Sequence, residues 1–269
     1  MIKDNGLICE LLTNGVLMLE NEEVLNVVDS AIISLDTFKE STNDRKGLDL
    51  NKIKNDLLEL EKGLRNKVTL RSVVSKMTEE EWPTIKEFAF NNGFGFMSSI
   101  FLPNNKEEIK NQPNICNIDL DLSVINFSGN FCGASYKEIA IDSDGTVYPC
   151  QALIDDSLSI TNILSEKWYS ELNNSVITNT FRNLTVNNIE RCKECNIRYL
   201  CGGGCRAVPY NIYGGLDKYS ECMCDYQKEI VKLRLIKILD SLEESEKDDK
   251  RTSKKQHRKH KKEMLHESN

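Results

Sequence analysis

Eight of the 10 cysteines in this chain fall at spacings that suit metal ligation. Cys192 and Cys195 are two residues apart, Cys201 follows after five more, and Cys205 lies beyond Gly202, Gly203 and Gly204, with Cys222 and Cys224 downstream. A second pair, Cys132 and Cys150, stands upstream, with Gly145 separated from Cys150 by four residues. Thiolates must converge on one small volume to hold a metal or an iron–sulfur centre, and bulky residues between them would block that. A Cys-x2-Cys turn sends two thiolates the same way. Glycines permit positive φ and let backbone N–H groups crowd the inorganic core, where they tune its potential. Cys-x2-Cys-x5-Cys-x3-Cys also suits a tetrahedral structural zinc, which leaves Cys132 and Cys150 without a purpose. A disulfide scaffold belongs to an oxidising compartment. Cys9 precedes an apolar strand and reads as a small core residue.

The 269 residues are 39% hydrophobic and 29% charged, ordinary for a globular chain with one large domain or two smaller ones. A net charge of −7 gives no general case for nucleic-acid binding. No apolar run is long enough for a membrane span, and Met1-Ile-Lys-Asp-Asn-Gly lacks the basic start and apolar stretch of a secretory signal. A cytoplasmic location is expected, where thiols stay reduced and act as metal ligands. His257, His260 and His266 all lie in the charged tail, which argues against histidine-based catalysis or ligation in the body.

The elements that must position these cysteines alternate in period. Helices are predicted over 19–28, 48–64 (stripe Ile53, Leu57, Leu58, Leu60) and 78–91, the last opened by a Thr78/Glu81 capping box and stopped at Asn92-Gly93. Strands are predicted at 31–35, 68–74 and 94–102, so βαβ units and a parallel sheet are expected. A hairpin is predicted with arms 138–141 and 146–148. An amphipathic helix over 225–242 should bury Ile230, Val231, Leu233, Leu235, Ile236 and Leu239. The expected organisation is an α/β unit at 1–102, a linker at 103–129, a cysteine-rich α+β domain at 130–242 and a charged, disordered tail at 243–269.

The pattern Cys132…Gly145-x4-Cys150…Cys192-x2-Cys195-x5-Cys201-x3-Cys205 with a final cysteine resembles the SPASM domain, which is appended to many radical SAM enzymes and holds auxiliary [4Fe–4S] clusters. Thr13-Asn14-Gly15, Ser34-Leu35-Asp36 and Asn43-Asp44-Arg45-Lys46-Gly47 resemble, in order, the third strand, fourth strand and following loop of the radical SAM barrel. The resemblance implies the C-terminal portion of a partial (β/α) barrel followed by a SPASM domain. The Cys-x3-Cys-x2-Cys loop that holds the catalytic cluster in that family is not in this sequence. The chain is thus expected to correspond to the family from its third strand onward, as a truncated, split or decayed gene product, and not to cleave S-adenosylmethionine alone.

By resemblance, Cys192, Cys195, Cys201 and Cys224, with Cys222 as the alternative, would ligate one auxiliary cluster. Cys132, Cys150 and Cys205 would ligate the other, its fourth position left open or filled by Cys116. Ser34, Asp36 and Arg45 would touch S-adenosylmethionine; read as residues, they are equally a strand-end serine, a loop aspartate and a solvated arginine. The implied activity is maturation of a ribosomally made peptide, with the precursor peptide and a flavodoxin- or ferredoxin-type reductant as partners. The second reading is a non-catalytic peptide-binding module stabilised by a cluster or by zinc.

Overall fold

The computed structural model describes residues 3–43, 45, 47–114, 132–221 and 223–243. The chain divides into two compact units, Met1–Leu120 and Asp121–Asn269. Cys116, Cys222, the three histidines and most of the expected linker and tail lie outside the described residues.

The first unit is a four-stranded sheet flanked by helices. Its elements run β1 (Glu10–Thr13), α1 (Val16–Glu20), α2 (Val24–Val27), β2 (Ser30–Ser34), α3 (Leu50–Glu59), α4 (Lys62–Arg65), β3 (Val68–Val74), α5 (Trp82–Asn91) and β4 (Gly95–Ile100). The strands lie in the order β1-β2-β3-β4 and every pairing is parallel. Alternation decides the faces. Ala31 and Ile33 of β2 and Val68 and Leu70 of β3 are buried, packed with Ile53 and Leu57 of α3 and Ile85 and Ala89 of α5, and Val74 of β3 is buried on the same alternation. Ser34 and Arg71 lie on the other, half-exposed face, where the Arg71 guanidinium donates to Ser99 Oγ at 3.0 Å. Asp49 caps α3 by accepting the Lys52 N–H at 2.9 Å.

Three local expectations need correction. The helix predicted over 19–28 is two short helices, broken at Asn21, whose side-chain amide turns back to the Leu17 carbonyl. The helix predicted over 48–64 ends at Glu59 and resumes at Lys62, and Leu58 of its expected stripe is exposed. The Thr78/Glu81 capping box does not form. Thr78 Oγ1 accepts the Ser75 N–H and donates to the Val73 carbonyl, while Glu81 takes Lys39 and itself stands at the N-cap of α5.

The second unit holds β5 (Ala140–Ile141), β6 (Thr146–Tyr148) and β7 (Thr161–Asn162) in an antiparallel sheet. Helices α6 (Trp168–Asn174), α7 (Val176–Asn183), α8 (Arg198–Cys201), α9 (Ala207–Tyr213) and α10, residues 223–243, complete it. Val147, Leu153 and Phe181 are fully buried within it. In α10 only Ile230 and Val231 of the expected stripe are buried; Leu235, Ile236 and Leu239 are exposed. Among the described residues no helix is long and apolar enough to cross a membrane.

Candidate metal centre

The loop after Cys132 is folded so that it reaches Cys150. Tyr136 and Lys137 both donate their N–H to the Gly133 carbonyl, closing a tight turn. Ser135, held at φ 56°, then donates its N–H to both Glu138 and Pro149, the residue before Cys150. The β5–β6 hairpin delivers Cys150 from the other side. Its turn needs Gly145 at φ 88°, where a Cβ would stand 2.9 Å from Asn162 Oδ1. That is the physical content of the Gly-x4-Cys spacing. Cys150 is buried against Ala134, Leu153, Leu158 and Phe181, with Cys132 and Cys205 packed on the same cluster.

The later cysteines are positioned by turns and one unusual loop. Cys195 donates its N–H to the Cys192 carbonyl at 3.0 Å, closing the Cys-x2-Cys turn. Cys201 ends α8, and Gly202, Gly203 and Gly204 follow at φ 64°, 82° and 69°. Three consecutive left-handed residues are accessible only to glycine at low cost, and they swing the chain so that Cys205 leaves in a new direction into α9. Cys224 sits in the first turn of α10, its N–H bonded to the Ser220 carbonyl at 2.9 Å.

The structure brings the predicted cysteines near one another. Cys132 and Cys205 are close enough to Cys150 that their thiolates, once formed, would act on it, and Cys205 likewise on Cys132. Cys195, Cys201 and Cys224 stand in the same relation to Cys192, Cys195 and Cys224 to Cys201, and Cys205 shares a cavity with Cys192, Cys201 and Cys224. Burial pushes the Cys150 thiol up to about 11, opposed by the N–H of Ala152. It also raises Cys132, against N–H donors from Ala134 and Arg206. Cys192 and Cys201 are raised by burial as well, with the Gly203 N–H pulling Cys201 back. Ligation must expel the protons these thiols carry, and the N–H groups aimed at their sulfurs favour the thiolate.

Cys192, Cys201 and Cys224 face a small cavity of about 40 Å³ that Cys205, Gly203 and Arg206 also line. Among the described residues no three Cys, His, Asp or Glu side chains stand close enough to hold a single ion. An all-thiol donor set around a cavity, with backbone N–H groups at the sulfurs, fits a polynuclear iron–sulfur group. Cys9 belongs to neither set: it is half-buried against the core of the first unit, its N–H donated to Asp29.

Arg206 was not singled out by the sequence, although a charged residue directly after Cys205 in the densest part of the cysteine run was a signal. It is 7% exposed, and Cys132, Cys192, Cys201 and Cys205 are all close enough for their thiolates, once formed, to act on it.

In the first unit, Ser34, Asp36 and Arg45 are neighbours. Asp36 Oδ2 accepts from Arg45 Nη2 at 2.7 Å and Nε at 3.1 Å, Asp36 Oδ1 accepts the Val73 N–H at 2.7 Å, and Arg45 Nη1 reaches the Ser34 carbonyl at 3.3 Å. Arg45 is therefore a clamped group. Beside them Asp36, Val73, Ser75, Thr78 and Phe101 line a small cavity of about 70 Å³ at the C-terminal ends of β2, β3 and β4.

Residues 132–196 match the SPASM family, an iron–sulfur cluster-binding domain. The match carries Cys132, Cys150, Cys192 and Cys195, while Cys201, Cys205 and Cys224 lie just beyond it. Over 76 residues the chain is 42% identical to a cysteine-type anaerobic sulfatase-maturating enzyme of Clostridium novyi, covering 28% of this chain and 19% of that protein. Over 74 residues it is 34% identical to a protein of the same description from Clostridium perfringens, covering 28% and 20%. The matched segment thus spans about a fifth of the length of these relatives.

The fold extends further than the sequence match. Native anSMEcpe with bound AdoMet superposes with a TM-score of 0.63 at 18% identity, over 87% of this chain and 74% of that one. Streptococcus suis SuiB bound to S-adenosylmethionine gives 0.59 at 14%, over 82% and 60%. At these identities the likeness is one of fold: a parallel α/β unit followed by a cysteine-rich unit.

Proposed function

We propose that this chain is part of a radical SAM/SPASM maturase that modifies a ribosomally synthesised peptide or protein in the cytoplasm. Cys192, Cys195, Cys201 and Cys224 would hold one auxiliary [4Fe–4S] cluster, with Cys222 the alternative to Cys224. Cys132, Cys150 and Cys205 would hold the other, leaving one position open or filled by Cys116. What supports the reading is that residues 132–196 match an iron–sulfur cluster-binding family and that Cys192, Cys201, Cys205 and Cys224 line one cavity, with Cys132 and Cys150 packed on the same buried cluster as Cys205.

Bound clusters would supply one-electron chemistry, fed by a flavodoxin- or ferredoxin-type reductant. The chain's own residues do the rest. Cys150 is kept from water by Phe181, Leu153 and Leu158, and the N–H groups of Ala134, Ala152 and Gly203 orient and stabilise their thiolates. In the first unit, Asp36 fixes Arg45 beside Ser34 next to a cavity at the strand C-termini, the edge where parallel α/β folds bind their ligands. That supports S-adenosylmethionine binding at Ser34, Asp36 and Arg45.

The test is iron, sulfide and zinc per chain after anaerobic purification and reconstitution. Two four-iron clusters give about eight irons. Zinc near one per chain with little iron would refute the reading and leave a structural binding module.

A further inference from the structure

Arg206 is a buried cation without a buried anion. Its side chain lies beside both cysteine sets, 7% exposed, and among the described residues no carboxylate pairs with it. The guanidinium donates to the Gly203 carbonyl and, at 3.3 and 3.5 Å, to those of Leu216 and Lys218. Its Nε has no partner. Its own backbone N–H points at the sulfur of Cys132. Removing an unpaired cation from water costs several kcal/mol, and carbonyl dipoles repay only part. Neutral thiols do not supply the missing charge. Thiolate-ligated clusters do, because each ligation adds a negative charge at a position close enough to act on Arg206: Cys132 and Cys205 from one set, Cys192 and Cys201 from the other.

We propose that Arg206 is the shared counter-ion of the two cysteine sets, offsetting the negative charge of a cluster in each and raising the reduction potential of both. This rests on the reading that the sets hold clusters. Reduction adds one electron, supplied in the test by dithionite, and so one more negative charge to a site. A fixed cation nearby favours the reduced state, and low surrounding dielectric magnifies the effect.

The experiment is a redox titration of the reconstituted full chain followed by electron paramagnetic resonance, on wild type, Arg206→Met and Arg206→Lys, with iron measured in each. In R206M both potentials should fall so that the reduced-to-oxidised ratio at a given poise drops about tenfold, which for a one-electron couple is about 59 mV. R206K, which keeps the charge, should stay close to wild type. If R206M fails to load iron while R206K loads it with near-wild-type potentials, the need for charge is equally supported. The proposal is overturned if R206M loads iron with either potential unmoved, since the charge is then not shared. It is also overturned if R206K fails along with R206M, since the guanidinium's grip on Gly203 and Leu216 is then what matters. Wild type that takes up zinc in place of iron would instead sink the cluster reading itself.

Discussion

Replacing Asp36 with alanine removes two different interactions, and their sizes can be separated. Oδ1 holds the Val73 N–H at 2.7 Å, and Oδ2 holds Arg45 at 2.7 and 3.1 Å. An amide left without its acceptor in a sheet costs about 1–3 kcal/mol. The ion pair is partly in solvent, with side chains 15% and 31% exposed. A bidentate pair of that exposure lies at the upper end of the surface range, about 1 kcal/mol. Asp36→Ala should therefore cost about 2–4 kcal/mol, and Arg45→Ala only about 1. The coupling energy in the double-mutant cycle should be about 1 kcal/mol. Asp36→Asn keeps an acceptor for Val73 and should fall near Arg45→Ala. The assay is urea unfolding followed by Trp82 fluorescence in a Trp168→Phe background, so that only the first unit reports. A cycle with no coupling, or Arg45→Ala costing as much as Asp36→Ala, would refute this account of how Arg45 is held.

Phe181→Ala should destabilise the second unit by about 3–5 kcal/mol, because the ring is 1% exposed against Cys150, Leu153 and Leu158; thermal unfolding followed by Trp168 checks it. Gly203→Ala and Gly204→Ala should each cost about 1–2 kcal/mol for a forced left-handed residue. Neither meets a clash, since the Cβ at Gly203 would only touch Ile189 and Val186 at 3.4 Å and that at Gly204 meets nothing; stabilising values in urea titrations would contradict the loop geometry. The 269-residue chain, reconstituted with iron, reductant and S-adenosylmethionine, should release no 5′-deoxyadenosine by liquid chromatography, because its sequence holds no Cys-x3-Cys-x2-Cys.

How far the molecule was legible depended on whether the decisive interaction was local. The strand at 68–74 was readable to the residue because its alternation sets one apolar face against α3 and α5. The hairpin was readable because Gly145 is required by the turn itself. The Thr78/Glu81 capping box was not, because both side chains found better partners from afar: the Val73 carbonyl and Lys39. The stripe of α10 was overestimated, since periodicity marks an apolar face without saying how much of it is covered. At the centre, the Cys-x2-Cys turn and the three-glycine loop were legible because they are local devices, whereas the grouping of the cysteines came from the family resemblance. Arg206 stayed hidden because its meaning lies in what surrounds it after folding, namely sulfurs contributed from positions up to 74 residues away.

The two cysteine sets are interlaced along the chain. One spans 132 to 205 and the other 192 to 224, so Cys205 of the first falls between Cys201 and Cys224 of the second. No single cut of the polypeptide can separate them into two independently heritable modules. Closing the longer span costs about 0.7 kcal/mol more chain entropy than closing the shorter, a bias of only about threefold toward 192–224. Because Cys205 lies inside the shorter span, closing that span also shortens the stretch that separates Cys132 and Cys150 from the third member of their proposed set.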